Sequence, residues 1–271
     1  MDGEATEPDD HGVDEAALAR ARALVDGAES ITVLTGAGIS TDSGIPDFRG
    51  PKGLWTRNPK AEATSNIAYY VRDPEVRRLA WRSRLDSTAW SAEPNAGHLA
   101  LVALERRGTL RALITQNVDG LHHAAGNDPD LVIEAHGTMR RWVCLSCDAG
   151  GPMAEALDRV RLGEDDPACR APVGSDGEAC GGILKSATVS YGQQLDPVDL
   201  ERADEAAADC DLFLAVGSTL SVYPIAQVVS VAHHHGAPVV IVNAQPTPYD
   251  PIAAEVLRGQ IGRVLPTLVG V

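Results

Sequence analysis

Five short aliphatic runs, at 31–35, 110–116, 131–135, 211–216 and 238–243, recur along the chain with helical stretches between them. They lack the polar alternation of a half-exposed strand, so they read as strands buried on both faces. Helical stretches are predicted at 14–28, 96–107, 198–209, 224–235 and 251–258. The first sets Ala17, Ala21, Leu24, Val25 and Ala28 on one face. Strands that alternate with helices must run parallel, because each crossover returns the chain to the same edge. The expected fold is α/β, a doubly wound parallel sheet of the Rossmann-like type. Aromatic residues make up only 4% of the chain, so aliphatic packing must fill the core.

Two segments interrupt the alternation. Residues 50–94 are rich in Arg, Trp and Tyr and show no strand, and they read as a helical segment covering a cofactor. Residues 139–184 are rich in Gly, Asp and Cys and too polar for a sheet core. They are expected to form a small second domain that folds only if something ties it together. The Rossmann-like, nucleotide-binding domain then comprises 14–49, 95–138 and 185–271, behind an acidic, disordered tail at 1–13. A formal charge of -15 argues against a broad grip on nucleic acid or on an anionic membrane. No apolar run approaches the roughly 18 residues needed to span a bilayer, and no signal peptide is expected at the start. Five cysteines on such a chain point to a reducing cytoplasm, where clustered thiols hold metal more often than they pair. Oligomeric state leaves no mark in the sequence.

Four of those cysteines fall in the polar insertion. Cys144-x-x-Cys147 is a metal knuckle, and Cys169 and Cys180 follow after a loop, which gives four thiolates for tetrahedral zinc. The alternative is a redox C-x-x-C pair, but such pairs open a helix after a strand, and this one lies in a loop beside two further thiols. Four protein ligands leave no open position for metal catalysis. Cys210 precedes an apolar strand and is expected to be buried and inert.

The remaining chemistry gathers where strands end. Gly36-Ala37-Gly38-Ile39-Ser40 leaves the first strand as a phosphate-binding turn would, since glycines and free amides suit a close anionic oxygen. The dinucleotide fingerprint is incomplete: Thr41 stands where its third glycine belongs, and the next glycine is Gly44. A tight strand–helix turn with no ligand is therefore the competing reading. The continuation Gly44-Ile45-Pro46-Asp47-Phe48-Arg49-Gly50 adds a carboxylate, an aromatic face and a guanidinium fork. Gln116, Asn117 and Asp119 follow the second strand, where ligands of open parallel sheets bind, although an Asx turn capping a helix would also use them. His136 ends the third strand, a position suited to a general base, but a satisfied core histidine would look the same. His122, His123 and 233–235 read as solvated or helix-end histidines, because consecutive helical positions point in different directions and make no metal site.

Taken in order, these motifs resemble the sirtuins, the NAD-dependent protein-lysine deacylases, over 36–266. The motifs that carry the resemblance are GAGIS at 36–40, GIPDFRG at 44–50, TQNVDGLH at 115–122 and His136-Gly137, with the four cysteines as zinc ligands. The resemblance implies NAD and zinc as cofactors and acyl-lysine proteins or peptides as partners. It implies that Gly36, Ala37, Gly38, Ile39 and Thr41, with Asp47, Phe48, Arg49 and Trp55, line the NAD pocket. It puts Gln116, Asn117 and Asp119 on nicotinamide and its ribose, with His136 beside them. Gly217, Ser218 and Thr219, with Asn243, Gln245 and Ile261, would hold the adenosine half.

The implied chemistry begins with attack of the acyl-lysine amide oxygen on the anomeric carbon, which expels nicotinamide. His136 then acts as base through the ribose hydroxyls, and Asn117 and Asp119 complete the catalytic set. Val189, Tyr191 and Gly192 resemble a segment that pairs with substrate as an added strand, and Val222 would form the opposite edge. Tyr191 and Gln193 depart from the usual Phe and Glu, and the Cys169–Cys180 interval is wide. A Tyr-x-x-Arg pair marks succinyl-removing members. Here it is matched by Tyr69 and Arg72, while Leu79 to Arg82 offers leucine where the tyrosine would fall, so uncharged acyl groups are the expected substrates. Mono-ADP-ribosyl transfer from the same NAD site is the alternative. An ordinary dehydrogenase and a zinc-ribbon nucleic-acid module are the weaker rivals.

Overall fold

The computed structural model describes residues 13–47, 64–175 and 177–271. In chain order its strands are β1 (Ile31–Thr35), β2 (Leu110–Thr115), β3 (Val132–Glu134), β4 (Gly137–Cys144), β5 (Gly150–Pro152), β6 (Pro172–Val173), β7 (Glu178–Ala179), β8 (Leu184–Thr188), β9 (Leu212–Val216), β10 (Val239–Val242) and β11 (Glu255–Leu257). Six of them form one sheet in the order β11-β10-β9-β1-β2-β3, with every pairing parallel. The chain winds outward from β1 to β3, returns to the far side of β1 as β9, and winds outward again to β11. The strand order therefore reverses between β1 and β9, which is where an open α/β sheet presents its crevice.

Burial follows from the uninterrupted aliphatic runs. Ile31, Val33, Leu113, Leu214, Val216 and Val240 face one side and pack against the helices Glu15–Gly27, Ala96–Arg107 and Ile261–Val269. Leu34, Ile114, Phe213, Ala215 and Ile241 face the other and meet Pro197–Ala208 and Val228–His234. Alternate residues of one strand thus serve opposite cores, and the doubly wound expectation holds.

The expected helix at 251–258 is instead a 3-10 turn, Asp250–Ile252, followed by the edge strand β11. Parallel pairing with β10 and an Arg20–Glu255 ion pair hold this stretch extended, which local periodicity does not report. The helix comes later, at Ile261–Val269, with Pro266 inside it. Proline argues against a helix in sequence, yet Val264, Leu265, Leu268 and Val269 bury one face against the core and outweigh that cost.

The polar insertion is more structured than its composition suggests. β4 is flanked by antiparallel β5 and β8, and the helix Met153–Arg161 lays Met153, Ala156, Leu157 and Val160 on a small core. Cys144, Cys169 and Leu184 complete that core, and Trp81 enters it from the helix Pro74–Leu85. Tyr70 donates to Leu184 O at 2.8 Å, and Arg77 pairs with Asp166 at 2.8 Å, so helices preceding the second strand also brace the insertion.

His136 is followed at once by β4, and Gly137 makes the corner. Its φ is +67°, and a Cβ there would lie 2.1 Å from Ala187 O on β8. Gly137→Ala should therefore cost about 2 kcal/mol or more, from left-handed strain and the displaced strand together. A denaturant titration checks this, and a wild-type midpoint would contradict it.

Candidate active site

The loop after β1 is a 3-10 turn, Ala37–Ser43, ended by Gly44 in the left-handed region. Gly38 N–H donates to Gly217 O at 2.8 Å, and Gly36 N–H donates to Val216 O at 3.0 Å. A Cβ on Gly36 would meet Gly217 O at 2.7 Å, and one on Gly38 would meet Gly217 Cα at 2.8 Å. A Cβ on Gly217 would meet Ile39 N at 2.6 Å. The glycines are thus required by backbone packing of one loop on another, a role that the phosphate-turn reading leaves out.

This packing brings the strand-end residues together. Ser40 is buried and donates to Asp119 Oδ2 at 2.7 Å. Asn117 Nδ2 donates to Ser40 Oγ at 3.1 Å and to Gly36 O at 3.1 Å. The second carboxylate oxygen of Asp119 accepts from Leu121 N–H at 2.9 Å, which is the Asx turn entertained above. One Asp119 carboxylate therefore both caps the following helix and holds Ser40. The Ser40–Asp119 bond, buried and charge-assisted, is worth about 1.5–3 kcal/mol. Ser40 is absent from the expected site residues; its signal was its place at the end of the GAGIS motif at 36–40.

His136 is half-buried, and its Nδ1 lies 3.0 Å from Gln116 O. A carbonyl only accepts, so Nδ1 carries the proton and Nε2 keeps its lone pair. Burial lowers the histidine's pKa, and the Gln116 carbonyl opposes that in part. The imidazole is therefore neutral at pH 7. Gln116 also donates to Ser218 Oγ at 2.8 Å, joining the β2 and β9 loops.

Asn243 is buried at the end of β10, and its Nδ2 donates to Gln245 O at 2.9 Å. Gln245, Thr41 and part of Thr219 face solvent, and Thr219 Oγ1 lies 2.9 Å from Ser221 Oγ. Ile261 is buried under the turn beside Ile39. Asp47 is half-buried at the end of the described stretch. Phe48, Arg49 and Trp55 lie outside the described residues.

The expected substrate segment is partly engaged within the chain. Tyr191 N–H donates to Ser65 O at 2.8 Å and its carbonyl accepts from Ile67 N–H at 3.0 Å, while Val189 N–H donates to His136 O at 2.8 Å. Gly192, with φ +87°, and Val222 lie close to solvent on separate loops. Arg72 lies over the exposed Tyr69 ring at 5.7 Å, and Arg82 is paired with Asp165. His122 is not solvated: it is buried, and its pKa is pushed down to about 3.

The sulfurs of Cys144, Cys147, Cys169 and Cys180 all lie within 4.8 Å of one another. Two pairs are 3.7 Å apart, against about 3.8 Å for a tetrahedron with metal–sulfur bonds of about 2.3 Å. Ser146 N–H and Ala171 N–H point at Cys144 and Cys169 sulfurs at 3.4 Å, as in thiolate knuckles. The residues fit zinc, and Cys210 lies apart from them, buried against Ala207 O.

The Sir2 family model matches residues 36–224. The NAD-dependent protein deacetylase 2 of Streptomyces coelicolor is 52% identical over 243 residues, 90% of this chain and 98% of that protein. The NAD-dependent protein deacetylase of Sulfolobus acidocaldarius is 41% identical over 87% of each chain. Among solved structures, a Sir2 protein with a deacetylated p53 peptide and 3′-O-acetyl-ADP-ribose superposes with a TM-score of 0.83 at 29% identity, over 93% of this chain and 97% of that one. A Sir2 complex with p53 peptide and NAD superposes at 0.79 and 30% identity, over 92% and 95%.

If the thiolates hold the insertion together, metal analysis should find one zinc per chain at the four-cysteine cluster. Chelation should then expose amides of 139–184 to hydrogen exchange while the six-stranded sheet stays protected. Active protein free of zinc would contradict this.

Proposed function

This chain belongs to the Sir2 family, and we propose that it removes acyl groups, acetyl among them, from protein lysines in a reaction that consumes NAD and releases nicotinamide and O-acyl-ADP-ribose. The observation that carries the reading is the convergence of Ser40, Asn117, Asp119 and His136 at the carboxyl ends of adjacent strands. Such a set suits a neutral amide, a sugar diol and one proton transfer. Bound NAD supplies an electrophilic ribose carbon that the acyl oxygen can attack as nicotinamide departs.

The donor set fits that group. Asn117 and Asp119, braced by Ser40, would hold the nicotinamide amide and its ribose. Gly217, Ser218 and Asn243, at the next two strand ends, would take the adenosine side. His136 uses Nδ1–H on Gln116 O and offers Nε2 to a ribose hydroxyl as general base. Zinc supplies folding energy only, since four thiolates leave it no open position. Substrate peptide would lie between Gly192 and Val222. Among the described residues no helix is long and apolar enough to cross a membrane. Five free thiols support a reducing, cytoplasmic setting.

His136→Ala should lower turnover about 100- to 10,000-fold while NAD affinity changes little. Calorimetry and a deacetylation assay separate the two effects, and near wild-type turnover would remove the base assignment. The acid limb of the kcat/KM profile should also fall below pH 6.5, because burial lowers the His136 pKa and the neutral form persists into milder acid. A limb centred above pH 7 would contradict that sign.

A further inference from the structure

Behind the site two buried histidines, His98 and His122, lie side by side with their rings tilted by 55°. His98 opens the helix Ala96–Arg107, and Asn95 N–H donates to its Nδ1 at 3.3 Å. Nδ1 is therefore an acceptor, and the ring proton sits on Nε2. His122 Nε2 lies 2.9 Å from Thr35 Oγ1, whose own proton goes to Thr115 Oγ1 at 2.9 Å. With that proton committed, Thr35 can only accept, so His122 carries its proton on Nε2 and Nδ1 is bare. The two ring nitrogens left over, His98 Nε2 and His122 Nδ1, are both buried, and among the described residues neither has a partner. One is a donor and the other an acceptor, on rings whose centroids are 5.0 Å apart.

We infer that His98 Nε2–H and His122 Nδ1 are joined through one internal water into a neutral relay that positions Asn117 for the reaction. The relay runs from Asn95 to Thr115, and Thr115 Oγ1 accepts from Asn117 N–H at 3.1 Å. Its other end is tied to the glycine turn, since Asn95 Nδ2 donates to Ile39 O at 2.8 Å and Ser43 Oγ at 2.9 Å. It thus sets the spacing between the two loops that Ser40, Asn117 and Asp119 bridge from the front. Burial keeps both rings uncharged, lowering His98 to about 4 against the opposing pull of Asp119. His122 falls to about 3, with His98 and His123 acting in the same direction. A water is at home where a donor and an acceptor are otherwise unmet. The inference rests on the proposed deacylase reaction for its kinetic consequence and on the hydrogen-bond geometry for the relay itself.

Ring nitrogen NMR on the 15N-labelled full chain tests the relay without any activity. Both rings should carry their proton on Nε2, with shifts constant from about pH 5.5 to 8. A ring that titrates in that window, or a proton on His122 Nδ1, overturns the inference. The kinetic arm uses Thr35→Val, which removes the middle hydroxyl at nearly constant volume. It should lower kcat about tenfold with peptide KM within about twofold, and Thr35→Ser should restore the rate. Adding His122→Leu should cost no more than the worse single change, because both break one chain. Wild-type kcat in Thr35→Val, or fully additive losses, would reduce the pair to packing. If the wild-type chain does not deacylate, the function reading fails while the ring tautomers still decide the relay.

Discussion

No side chain fits between the loops that leave β1 and β9. Gly36, Gly38 and Gly217 meet there backbone to backbone, each at a separation that a Cβ would close to 2.9 Å or less. Because β1 and β9 are central neighbours, this contact lies at the point where the sheet reverses its winding order. The turn after β1 is thereby pressed toward β9, and Ser40 comes to rest under Asn117 and Asp119. Gln116 reaches across to Ser218, so the β2 loop is tied to the same junction. The polar groups at the strand ends thus rest on this packing as well as on their hydrogen bonds.

The sheet was legible because its strands are continuous aliphatic runs, a pattern few other structures require. Ile31–Thr35 and Leu212–Val216 stand where the runs placed them. β11 was not legible, since Glu255-Val256-Leu257 has no strand periodicity and is held extended by the parallel edge of β10 and by the Arg20–Glu255 ion pair. The helix Ile261–Val269 was obscured by Pro266, whose local penalty is outweighed by burial that only the fold reveals.

The candidate site was legible in its motifs and not in its supports. His136, Asn117 and Asp119 declare themselves as polar groups at strand ends. Ser40 is a small hydroxyl in a glycine turn, and His98 and His122 are helical histidines with nothing local to show that they are buried. The cysteine cluster was visible from spacing, but the small core around Cys144, Cys169 and Trp81 was not, because Trp81 arrives from a distant helix. That core and the thiolates together account for a stable insertion of polar composition. Gly137 then connects this insertion directly to His136, so the proposed base stands where the insertion leaves the six-stranded sheet.

The most direct test of the account is the product balance when the chain is incubated with NAD and an acetyl-lysine peptide. Mass spectrometry should find nicotinamide, deacetylated peptide and acetyl-ADP-ribose in equal amounts, with nicotinamide release dependent on the acetyl peptide. Free acetate formed without loss of NAD, or ADP-ribose attached to a peptide that keeps its acetyl group, would contradict it.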